Sequence, residues 1–300
     1  MFDELDKKTY RMIDKYIDAY AHLLKLLANK VDNNLSERHI RLVIAEIEEI
    51  VKELDEDAFK YCSETLTQYY LIGAENVDSD VKEMELDTAT KAIVLHQKAI
   101  ERAFMDTYED LAARTRFMSN EMKKVIRNVS SDIINRQLVS GETRKKVVKE
   151  LRDELLNNGV HSFVDNANRK WNIARYSEML LRTKTRILTN SGTMDRLQVY
   201  QDKYPDNDNF DTIIISDHNA RDWCKFYEGT VWSISGKSDI YPHVERLPNG
   251  YNVLHPNCRH IFQSYIPALR GKGKIVNPSF LDRDVKSLNK EYYHLVKKTK

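Results

Sequence analysis

Between residues 217 and 260 lie most of the side chains with acid–base or metal-binding chemistry: Asp217, His218, Cys224, His243, His255, Cys258 and His260. Thiolate and imidazole together are the usual ligands of tetrahedral zinc. The run His255-Pro-Asn-Cys258-Arg-His260 brings three such groups close together, and Cys224 upstream completes a set of four. Pro256 and Asn257 supply a turn that lets His255 and Cys258 point the same way. A further turn over Cys258–His260 is expected, to bring His260 to that side. The same residues equally suit a plainer role, holding a small module together by ordinary hydrogen bonds. A general base or a metal-dependent nuclease or other hydrolase built from Asp217, His218, His255 and His260 is the competing chemistry. No His-Glu-x-x-His, Walker loop or nucleophile elbow accompanies them, so an enzyme is not expected. The cysteines stand too far apart for zinc-finger spacing. Trp223, Phe226, Tyr227 and Trp232 read as the module's small core rather than as a platform for stacked bases.

The elements that must position these groups are unlike the groups themselves. Across 300 residues there are only 9 glycines and 6 prolines, which favours helices over a turn-rich β-fold. Leu5, Tyr10, Ile13, Ile17, Tyr20, Leu24 and Leu27 recur at helical steps up to the Asp32-Asn33-Asn34 break. Ser36 caps a second helix whose stripe runs through Val43, Ile47 and Leu54 to a stop near Gly73. Residues 77–85 read as a polar loop. A third helix is expected from about Thr88 to Thr115 and a fourth from a Ser119 cap. A short helix over 143–157 sits between Gly141 and Gly159, and a last long one covers about 165–200. At Pro205 the character changes. Residues 211–216, 229–235 and 260–266 are strand-like and bounded by polar breakers. The expected fold is therefore mainly α with a small α+β module: a body of about six long helices over 1–204, the module over 205–267, and a basic extension over 268–300.

Three cysteines cannot form a disulfide framework, and Cys62, on an amphipathic stripe, reads as a buried apolar residue. No apolar run reaches the roughly 20 residues needed to cross a bilayer. The start, Met-Phe-Asp-Glu-Leu-Asp, lacks the basic and apolar regions of a signal peptide, so folding in a cytoplasm is expected. The formal net charge of +1 hides segregation: residues 1–100 are acidic, whereas 101–200 and the tail from 270 are basic. Arg169, Lys170, Arg175, Arg182, Lys184 and Arg186 give the last long helix a basic face able to meet phosphates without reading sequence.

The ordered segments Asp217-His-Asn-Ala-Arg-Asp-Trp-Cys224, Glu228-Gly-Thr-Val-Trp232, Gly250-Tyr-Asn-Val-Leu-His-Pro-Asn-Cys-Arg-His260 and Tyr265-Ile-Pro267 resemble the C-terminal module of phage minor capsid and head-morphogenesis proteins of the Mu F type. Relatives often carry two cysteines two residues apart at the first of these segments. Cys224 matches the second and Arg221 stands at the first, so the resemblance leaves zinc to Cys224, His255 and Cys258 only if His260 stands in as a ligand. The resemblance implies a low-copy structural protein of the phage head interior, made in the bacterial host cytoplasm. Its implied partners are the portal protein, other capsid proteins and packaged double-stranded DNA, and its implied role is head assembly and DNA packaging or ejection.

Overall fold

In a computed structural model, residues 2–30, 37–89, 93–140, 146, 163–164, 170–171, 173–248 and 254–298 are described. The long helices are α1 (Phe2–Lys30), α2 (Glu37–Tyr61), α3 (Thr67–Glu83), α4 (Ile93–Ser140), α5 (Ile173–Lys203) and α6 (Val285–Lys298). Strands β1 (Phe163–Val164) and β2 (Lys170–Trp171) form a small hairpin. Strands β3 (Thr212–Ile215), β4 (Val231–Ser233) and β5 (Phe262–Ser264) form one antiparallel sheet in the order β4-β3-β5. This is the mainly α fold with a small α+β module, and its three strands fall where the alternating segments place them. No described helix is long and apolar enough to cross a membrane.

The chain divides into two compact units, one comprising residues 3–63 and 105–179 and the other 64–104 and 180–300. In the first, α1, α2 and the later part of α4 bury one stripe each, centred on Tyr16, Leu23, Ile47, Ala58, Leu111, Met118 and Met122. Their polar members pair: Tyr16 with Thr115 at 3.3 Å and Thr9 with Tyr61 at 2.8 Å. Cys62 is fully buried, as its place on the stripe requires.

The second unit departs from the expected outline in instructive ways. Gly73 does not stop a helix. It lies inside α3, where an added Cβ would sit 2.1 Å from the carbonyl oxygen of Thr189, and Gly192 on α5 faces the carbonyl of Tyr70 equally closely. Glycine here serves the approach of two helices. Residues 77–83 are helical rather than looped, because Val77 and Val81, one turn apart, are fully buried. The polar residues that made this stretch look like a loop are engaged by the rest of the unit. Asp78 accepts from Arg196 Nε at 2.6 Å and from Tyr200 Oη at 2.5 Å. Asp80 accepts from Ser264 of β5 and, at 2.8 Å, from Arg270 Nη2. Asp80→Ala would leave a buried hydroxyl without its acceptor. It is expected to cost about 1–3 kcal/mol, read as a lower urea midpoint.

Elsewhere α4 is one continuous helix in place of two, with Ser119 buried in its interior instead of capping. The short helix expected over 143–157 lies almost wholly outside the described residues. The last long helix begins at Ile173, which puts Lys170 on β2 rather than on a helical face. Beyond Pro267 the chain packs on the module: Val276 and Leu288 are buried, and Phe280 stacks on Phe226 with centroids 4.1 Å apart.

Candidate functional site

Two loops feeding the three-stranded sheet carry the Cys/His residues. After β3 the chain runs through Asp217, whose carboxylate accepts the Asn219 amide, to Asp222. Asp222 Oδ1 accepts the Cys224 amide at 2.9 Å, which starts a tight helical turn over Trp223–Phe226 and turns Cys224 inward. Before β5, Asn257 takes a left-handed φ of 65°, which asparagine tolerates, and the Cys258 amide closes the turn on the His255 carbonyl at 3.1 Å. The expected Pro256-Asn257 turn is therefore present. The second turn, over Cys258–His260, is absent and unnecessary. Residues two apart on extended chain share a face, so Cys258 and His260 are both buried while Arg259 between them is exposed.

The four sequence-derived ligand candidates gather in two overlapping groups that share Cys224. The ligand atoms of Cys224, Cys258 and His260 lie within 4.8 Å of one another, as do those of Asp222, Cys224 and His255. Cys258 Sγ is 3.2 Å from His260 Nδ1. Each histidine has its outer nitrogen occupied. His255 Nδ1 is 2.7 Å from the Pro256 carbonyl, and His260 Nε2 is 3.1 Å from Glu228 Oε1. That leaves His260 Nδ1 directed at the Cys258 thiol, the pattern in which a second-shell acceptor fixes the tautomer of a metal-binding imidazole, whereas His255 Nε2 lies 3.5 Å from Asp222 Oδ2. The set fits zinc by ligand type and, at His260, by this orientation.

The electrostatics point the same way. Hydrogen bonding between the two thiols holds Cys258 below its ordinary pKa and pushes Cys224 above its own. Burial alone would lower both histidines, but Asp222 and Cys258 bring His255 up to about 10, and Cys258 with Glu228 raises His260. The His255 contact in turn holds Asp222 down at about 2. A lowered thiol beside raised imidazoles marks a pocket whose anionic groups favour a bound cation, a proton or a metal.

Sequence reasoning missed Glu228. It is 4% exposed, and its Oε1 accepts from the His218 amide at 2.9 Å, from the Ala220 amide at 2.8 Å and from the His260 ring. An isolated carboxylate immediately before the strand-like Gly-Thr-Val-Trp run was its one signal. Of the other histidines, His218 flanks the cluster, its ring 5.2 Å from that of His260, and His243 is in neither group of ligand candidates. His218 bonds Ser216 Oγ at 2.9 Å, and burial keeps its pKa low, while His243 reaches the Ile234 carbonyl at 3.0 Å. Trp223, Tyr227 and Trp232 are buried core, as expected, and Phe226 packs partly buried against them.

The basic residues are less unified. Arg169 lies outside the described residues. Along α5, Arg175, Arg182 and Arg186 share one face by helical spacing, and Lys184 falls on the opposite side. Arg182 Nη1 reaches Asn257 Oδ1 at 3.4 Å, which ties this face to the Cys/His loops.

Among known proteins, no curated sequence and no solved structure gives a match. A family model described as Phage minor capsid protein 2 matches residues 4–295, taking in the helices as well as the loops that carry the cluster. With nearly the whole chain covered, and with the loop motifs folded around one buried knot, the chain belongs to the phage minor capsid protein 2 family.

Proposed function

We propose that this minor capsid protein works at low copy inside the phage head, close to the portal, where it assists head assembly and the packaging or ejection of DNA. Its partners in this reading are the portal protein, other capsid proteins and the packaged duplex. The observation that carries the reading is the family match over residues 4–295. The segregated charge supports it: an acidic first third suits a protein partner, and a basic middle suits phosphates.

Within this role the Cys/His cluster is a structural zinc knot rather than a reaction centre. Cys224, His255, Cys258 and His260 would fill a tetrahedral shell, and a filled shell leaves no position for a water nucleophile. Zinc held there would supply folding free energy to a module whose sheet has only three short strands.

The location is tested on purified virions and on a deletion of the gene. Mass spectrometry is expected to find the chain in mature particles at a copy number far below that of the major capsid protein. Deletion is expected to abolish infectious heads. Normal yields of fully infectious particles lacking the chain would overturn the reading.

A further inference from the structure

The two loops that form the knot also wall a cleft of about 570 Å3, lined by His218, Arg221, Asp222, Asn257 and Arg259 among others. Arg221 and Arg259 are exposed, and neither guanidinium has a hydrogen-bond or ion-pair partner among the described residues. Among the described residues the only carboxylate lining the cleft is Asp222, already engaged by the Cys224 amide and by His255. Glu228 lies beneath, its Oε1 shared between two amides and His260. Two more cations approach from α5. Arg182 contacts Asn257, and Arg186, one turn further on, shares its helical face.

Like charges gathered on one concavity repel each other, and an anion relieves that repulsion. Guanidinium groups match phosphate oxygens with paired, planar hydrogen bonds. Cations at several points, two in the cleft and two along a helix, suit a repeating polyanion better than a single small ion. We propose that this cleft grips the phosphodiester backbone of nucleic acid, with Arg221 and Arg259 each holding a phosphate and with Arg182 and Arg186 extending the track along α5. The contact is to backbone, so it carries no sequence preference. It rests on the reading that the chain handles DNA.

The experiment uses the full chain and a fluorescent 20-base-pair duplex, with binding followed by anisotropy over a salt series. Arg221→Gln/Arg259→Gln is compared with Lys286→Gln/Lys290→Gln, which removes the same charge from α6. The arginine variant is expected to lose about tenfold or more in affinity at low salt. Its log–log salt slope is expected to be shallower by about two, the value for two lost phosphate contacts. The lysine variant is expected to stay within about twofold of the parent, and melting temperature and zinc content are expected to be unchanged in both. If the parent chain does not bind the duplex, the DNA-handling reading and the cleft fail together. If the parent binds but both variants lose affinity equally, or neither does, DNA handling stands and the cleft assignment is overturned. Displacement of the duplex by millimolar inorganic phosphate at constant ionic strength would show a site for the free anion, and would also overturn it.

Discussion

Gly192→Ala is expected to destabilise the unit containing the sheet strongly, although it adds only a single methyl group. The new Cβ would lie 2.0 Å from the carbonyl oxygen of Tyr70 and 2.9 Å from its carbon, and both are backbone atoms of α3 that no rotamer change can move aside. Relief requires α3 and α5 to separate. The same crossing supports the Thr193 hydroxyl on the Gly73 carbonyl at 3.3 Å and the Tyr70 hydroxyl on Asp195 at 2.6 Å. Overpacking of a close contact typically costs about 1–3 kcal/mol, and a backbone-to-backbone clash belongs at or above the top of that range. Gly73→Ala is expected to behave alike, from the other side of the same contact. Thermal unfolding followed by circular dichroism checks this, with Ser191→Ala, next door on α5, as the control. A Gly192→Ala protein that melts with the parent would mean the two helices do not cross this closely.

The second large effect is expected at the knot. Purified protein should carry one equivalent of zinc by elemental analysis, and Cys258→Ser should lose it. Structural zinc sites contribute on the order of 10 kcal/mol of apparent binding free energy at neutral pH, far more than a three-stranded sheet can spare. Cys258→Ser, or the parent after exhaustive chelation, is therefore expected to lose the near-ultraviolet dichroism of Trp223 and Trp232, both buried beside the cluster. The helical far-ultraviolet signal should largely remain. Glu228→Gln is a milder probe of the same centre. It keeps the side-chain volume but weakens the acceptor for His260, and a loss of about 10–100-fold in zinc affinity is expected. Protein free of zinc that melts identically with and without chelator would leave the cluster a hydrogen-bonded knot and nothing more.

How far the sequence carried these conclusions depended on the kind of signal. The strands were legible because Ile213 and Ile215 on β3, and Phe262 and Ser264 on β5, alternate toward a buried face. The first helices were legible from their apolar stripes. The gathering of the Cys/His side chains was legible from residue type and spacing. What stayed hidden was decided by partners distant in the chain. Residues 77–83 looked like a loop because Asp78, Ser79 and Asp80 are polar, yet Asp78 and Asp80 are matched by Arg196, Ser264 and Arg270, all more than a hundred positions away. Gly73 read as punctuation because nothing local announces a helix crossing. Ser119 read as a cap because the buried face of a long helix can also carry small polar residues. Glu228 was invisible as a functional group because its role comes entirely from His218, Ala220 and His260 closing around it.

The tie between Asp80 and β5 also bears on synthesis. Asp80 waits for Ser264 and Arg270, which follow it by 184 and 190 positions. During translation, therefore, α3 leaves the ribosome long before anything can cover Val77 and Val81. Closure requires most of the polypeptide to have emerged, a high-contact-order event placed late in the life of the nascent chain. Until then an apolar helical face stays open to water, to chaperones and to other unfinished copies on the same polysome. Truncated products ending before residue 264 should accordingly aggregate rather than accumulate as a soluble helical fragment.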